Sequence, residues 1–188
     1  MDSWVRAASL FHQIAAFDAT QAQRRQRSER ASQELAAWYV QSEGVLLDAL
    51  CVELERKVRE LGRVGSSIRV TAPSAPRVVG PGDASLRFSS VCFEDDAVTA
   101  YSVRQAGSSL MLHWAWQLRT ERDRFPRILS VPGIRVLRGS EQETVLEAVG
   151  ARPGTRLGLS DIASEILAML ADAVANRRRL ARGRRPPA

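Results

Sequence analysis

Two histidines, two cysteines and one acidic triplet are the places where this chain could do chemistry. An imidazole acts as a general base or a metal ligand only when a nucleophile or further ligands lie within reach. His12 falls between helical positions of an N-terminal segment, and His113 lies on the less apolar face of a strand. Both are expected to be satisfied structural side chains. No serine stands in a GxSxG elbow. Cys51 and Cys92 sit in apolar surroundings without a CxxC, which points to buried free thiols in a reducing, intracellular setting, cytoplasmic by default. Glu94, Asp95 and Asp96 could together hold Mg²⁺ or Ca²⁺. Three acids between two apolar runs are first expected as a hairpin turn, because Asp supports turn geometry by bonding its own backbone. "GPGDAS" carries neither GxxxxGK[ST] nor GxGxxG. The residues therefore assign no catalytic side chain, no metal and no cofactor, and favour a non-enzymatic role. Tyr101, Arg104 and His113 are the set that would line a small-molecule pocket, on the open face of a sheet.

Charge is distributed unevenly. The chain has 27 basic and 21 acidic residues, a net charge of +6. Arg177, Arg178, Arg179, Arg182, Arg184 and Arg185 account for the whole surplus, so the body is neutral and the excess sits in an appended tail. In one reading, Arg177 to Arg179 form the last turn of a helix, where cations meet the negative end of the dipole. Gly183 then stops that helix, and Pro186 and Pro187 prevent its resumption. In the other reading the arginines continue as a basic arm that grips nucleic acid. Anionic lipid or an acidic protein surface would attract the same arm. "ARGRRPP" is similar to an AT-hook core, with Arg185 inserted before Pro186 and no proline ahead of Arg182. That resemblance implies arginines lying in the minor groove, and with it a nuclear or nucleoid location.

The elements that must position these groups are legible from periodicity. Trp4, Ala7, Leu10 or Phe11, Ile14 and Phe17 recur at helical spacing. "DATQAQRRQRSERASQE" (18–34) has good helix formers and no large apolar side chain, and reads as a solvated helix or a loop. Its Arg24, Arg25, Arg27 and Arg30 form a second basic cluster. From Leu35 and Trp38 the apolar pattern returns through Leu47, Leu50 and Leu54, with Gly44 as a candidate kink and Gly62 with Gly65 as the stop. Leu47, Leu50, Leu54, Leu61 and Val64 are heptad-like, over too short a run for a coiled coil. No stretch approaches the ~18 apolar residues of a membrane span.

Beyond residue 65 the period changes. "SIRVTA" reads as a strand and "SLRFSSVCFE" as another whose parity slips, as a bulge near Ser89 and Ser90 would cause. "SLMLHWAWQL" places Leu110, Leu112, Trp114, Trp116 and Leu118 on one face. "AGS" before it is a tight turn, and Pro132 with Gly133 separates two short strands. "SEQETVLEAVG" (140–150) is expected to be a short helix. Leu159, Ile162, Ile166, Met169 or Leu170, and Ala173 form the stripe of a final helix.

The expected fold is α+β: an antiparallel sheet of four to six strands packed against N-terminal helices and a C-terminal helix. Its regions are 1–64 (helical), 65–176 (α+β) and 177–188 (basic tail). The leading function is a protein-interaction or scaffold role, self-associating or partner-binding through Trp4, Phe11, Ile14, Phe17, Leu35 and Trp38. Nucleic-acid binding by the tail and ligand binding at the sheet face are the alternatives.

Overall fold

The computed structural model describes residues 2–79, 84–105, 109–118, 127–130, 133–141, 143–150 and 155–183. For 2–6, 117–118, 127–130 and 180–183 it describes the backbone alone. The "AGS" turn, Arg184, Arg185, Pro186 and Pro187 lie outside the described residues.

Helix α1 (Asp2–Glu60) is a single run of 59 residues. Residues 18–34 are helical: Ala, Gln, Arg and Glu are strong helix formers, and Thr20 Oγ1 donates back to the Ala16 carbonyl at 2.8 Å. Gly44 does not break the helix. Gly62 does end it, with a φ of +58° that only glycine adopts without strain. The chain divides into two compact units, Met1–Trp38 and Tyr39–Ala188. In the first, Leu10, Phe11, Ile14 and Phe17 are exposed.

The second unit is α+β. Its strands are β1 (Ile68–Val70), β2 (Arg77–Val78), β3 (Ser85–Phe93), β4 (Asp96–Gln105), β5 (Ser109–Leu118), β6 (Arg127–Ser130), β7 (Ile134–Arg138) and β8 (Thr144–Ala148), followed by α2 (Leu159–Gly183). Among the described residues they form one open, curled, antiparallel sheet in the order β1-β3-β4-β5-β7-β8. The short β2 adds beside β3, and β6 beside β5. The six-strand path is the upper end of the expected number.

Two local expectations are corrected. Strand β3 has no bulge: its register with β4 runs unbroken from Ser85↔Arg104 to Phe93↔Asp96. The hydrophobic parity slips because the helix-facing positions of its first half are polar. Ser85, Arg87 and Ser89 point toward polar groups of α1, while Leu86 and Phe88 take the outer face. Residues 144–148, expected within a helix, are strand β8, paired with β7 from Ile134↔Ala148 to Arg138↔Thr144. Helix propensity in so short a segment is outweighed by a full ladder with an existing edge, and Leu146 is buried where Val145 and Glu147 are not.

The core lies between the inner sheet face and the two helices. Leu110, Leu112, Trp114 and Trp116 from β5 are all buried, with Ile134 and Val136 beside them. Ile162, Ala163, Ile166, Leu170 and Ala173 of α2 cover one part, and Leu46, Leu47, Leu50 and Leu54 of α1 supply the other layer. At about 1.5–3 kcal/mol per large side chain, this layer is the main stabilising term. The heptad-like register does not survive as a seam: Leu61 and Val64 are exposed. Over Ala7–Glu60 the helix is, by length and composition, apolar enough to cross a membrane, contrary to the expectation that no stretch comes near. Of its most apolar 18 residues, 39% are buried within the protein.

A buried polar cluster locks α1 to the sheet. Glu43 is only 3% exposed. Its carboxylate accepts from Ser85 Oγ at 2.7 and 3.0 Å, from Ser102 Oγ at 3.2 Å and from Arg104 Nε at 3.1 Å. Arg87 donates to the Glu43 and Gly44 carbonyls at 3.2 and 3.0 Å. Eight residues along the helix, Cys51 Sγ lies 3.0 Å from Ser89 Oγ, which donates to the Thr71 carbonyl. Burial raises the Cys51 thiol above its ordinary value, so it stays protonated and unreactive. Glu43→Ala should cost about 3–5 kcal/mol by leaving Arg104 buried without its counter-charge. Glu43→Gln should cost less, because the serines keep an acceptor. Urea unfolding midpoints of the two variants test this ordering.

Candidate functional site

On the outer face of the sheet, Tyr101 and His113 are cross-strand partners with stacked rings, centroids 5.3 Å apart. Gly133, just ahead of β7, completes the stack: a Cβ there would stand 2.2 Å from His113 Cε1. Arg104 does not join them. Its parity is opposite to that of Tyr101, and it turns to the inner face to pair with Glu43. Of the three residues expected to line a pocket, two meet and the third serves the core.

The basic tail begins inside the fold. Arg177 reaches the β3–β4 turn, with Nη2 2.5 Å from Glu94 Oε2 and Nη1 3.0 Å from Asp95 Oδ2. Its Nε lies 2.9 Å from Asp96 Oδ2, close enough for an ion pair without hydrogen-bond alignment. Arg178 donates to Glu94 Oε1 at 3.0 Å and stands over the Phe93 ring at 6.0 Å. The acidic triplet is thus a hairpin turn whose carboxylates meet arginine. Among the described residues no group of three or more His, Cys, Asp or Glu is placed to hold a metal ion. Glu94 has a φ of +52°, the first central position of a two-residue hairpin. That conformation costs a non-glycine residue about 1–2 kcal/mol, and the paired guanidiniums offset part of it. Burial pushes the Asp96 carboxyl up against the pull of Arg177. Helix α2 carries the backbone to Gly183, where the sequence places its stop. Arg179 is exposed, and Arg182 is described in backbone alone.

Beside this ion-pair cluster lies an apolar groove of about 570 Å³, within the range of small-molecule sites. Ile68 and Phe93, paired across β1 and β3, form its floor. Leu61 and Val64, which follow α1, form one wall. The other wall is the α2 stripe Leu167, Leu170, Ala171, Val174 and Ala175, repeating at three- and four-residue spacing. Arg178 and Arg179 continue that stripe at the rim, and they are the only charged side chains in the lining. Periodicity could not locate this groove. Leu61 and Val64 read as helix seam and Phe93 as strand core, and only the chain's path brings them together. A smaller hollow of about 290 Å³ lies between α1, β8 and the start of α2, with Ser42, Leu46 and Leu146 in its lining.

The interaction residues expected on the N-terminal helix differ in exposure. Phe11 is 71% exposed, Ile14 56% and Phe17 63%, whereas Leu35 and Trp38 are half-buried. Trp4 is described in backbone alone. Comparison of the chain with protein-family models, with curated proteins and with solved structures finds no match.

Burial lowers the His113 imidazole from its ordinary value, so its neutral form is favoured in the folded state. As pH falls below about 6.5 the unfolded chain takes the proton first. Stability should therefore decline from there toward the folded-state pKa. A His113→Phe chain is expected to lose less stability than the parent between about pH 6.5 and 5, read from denaturation midpoints. Gly133→Ala should destabilise by about 1–3 kcal/mol through displacement of the stacked ring, again measured by chemical denaturation.

Proposed function

We propose that this chain is a non-catalytic binding domain for a small, largely apolar ligand held in the groove between α2, the β1–β3 edge and the segment after α1. One observation carries the reading: a groove of about 570 Å³ whose lining is apolar except for two arginines at its rim. Leu61 and Val64 stay 48% and 63% exposed at this wall. Apolar surface left open beside a few convergent polar groups is the usual make-up of a ligand site. An intracellular setting accords with two free thiols, one of them half-buried at Cys92.

Nile red, a neutral dye that brightens in apolar surroundings, is the direct probe. The full-length chain should bind it saturably. Ala175→Trp, which projects an indole into the groove from an exposed helix position, should weaken that binding at least about tenfold without changing the thermal midpoint. Equal binding by both chains would place the dye elsewhere and remove the groove as the site.

A protein-interaction role is the second reading, favoured by Leu10, Phe11, Ile14 and Phe17 exposed along one face of α1. Large aromatic and aliphatic groups at this spacing suit a helix–helix contact. Light scattering on the full-length chain should then give a mass above the monomer, returned to the monomer value by Phe11→Glu with Phe17→Glu. A monomeric parent would end the self-association form of this reading. Nucleic-acid binding has less support, since Arg177 and Arg178 are engaged by Glu94, Asp95 and Asp96.

A further inference from the structure

We propose that the occupant of the groove is a free fatty acid of roughly a dozen carbons, its alkyl chain along α2 and its carboxylate against Arg179. This rests on the reading of the groove as a ligand site and adds the identity of the ligand's polar end.

Length comes first. From Leu167 to Arg178 the α2 wall runs for three helical turns, about 16 Å at 1.5 Å per residue. A linear chain of roughly a dozen carbons has that reach, given carbon–carbon bonds of about 1.52 Å. The trough has one floor and two walls, which suits one alkyl chain better than the paired chains of a membrane lipid.

Charge decides the polar end. Both charged residues in the lining are arginines, and they share one end of the trough. Arg178 is already committed, donating to Glu94 and standing over Phe93. Arg179 is exposed and makes no ion pair among the described residues. Its neighbours in sequence offer no counter-charge: residues 176–188 contain six arginines and no acid. A guanidinium presents its donors as a planar fork matched to a carboxylate. An alcohol of the same length would find the same apolar walls and leave that fork without a counter-charge.

Titration calorimetry of the full-length chain with dodecanoate and with dodecanol, both kept monomeric, tests the inference. The expected result is dodecanoate binding about tenfold tighter than dodecanol, a preference that narrows at high salt. Arg179→Gln should bring the preference close to one, while Arg138→Gln, an exposed arginine on β7, should leave it intact. Competition by dodecanoate for Nile red, lost in Ala175→Trp and also in Ala171→Trp, would tie the preference to the groove. Equal affinity for acid and alcohol, or a preference that survives Arg179→Gln, would overturn the carboxylate assignment and leave the groove reading standing. A parent chain that binds neither the dye nor either amphiphile would overturn both. Dodecanoate binding that persists in both tryptophan variants would overturn the placement along α2.

Discussion

A carboxylate withdrawn from water has to be satisfied by the protein, and at Glu43 that requirement ties three elements into one arrangement. The group sits in α1, and its partners come from β3 (Ser85) and β4 (Ser102 and Arg104). Burial of an isolated carboxylate would cost many kcal/mol, so the helix can dock only in the one register that brings all three donors within reach. Apolar packing by Leu47, Leu50 and Leu54 supplies attraction but little directional preference. The polar cluster supplies the direction, and Arg87 reinforces it by capping two helix carbonyls in mid-run.

That register has consequences at the far end of the helix. With α1 set over β3 and β4, Gly62 turns the chain so that Leu61 and Val64 fall beside Ile68 and Phe93. Helix α2 is set by its own apolar stripe against β3, β4 and β5, and by Arg177 on the β3–β4 turn. The groove is what remains between these separately anchored pieces. Its floor and walls are core-type side chains, and its rim is cationic because α2 runs out into the basic end of the chain.

The same geometry divides these arginines into three kinds. Arg87 and Arg104 work inside the fold, Arg177 and Arg178 on its acidic turn, and Arg179 faces solvent. Net charge alone describes them as one basic surplus. Exposed ion pairs such as that of Arg178 contribute little to stability, so their role at the turn is chiefly to hold Glu94 in its left-handed conformation and the end of α2 in place. Arg179, which makes no ion pair among the described residues, sits next to them, where the apolar wall ends.

Much was legible in the sequence, and for a definite reason. The strand with Leu110, Leu112, Trp114 and Trp116, the stripe of the last helix, the hairpin at Glu94 to Asp96 and the α+β class all follow from local periodicity and turn chemistry, which neighbouring residues carry on their own. What tertiary structure decided was everything that depends on a distant partner. The polar parity of β3 answers Glu43, residues 144–148 become a strand because β7 offers an edge, and Arg104 leaves Tyr101 and His113 because alternation sends it to the other face. The groove belongs to this second group. Its residues span Leu61 to Arg179, and no pattern along the chain encodes a surface that exists only where α2, the segment after α1 and a sheet edge fail to close.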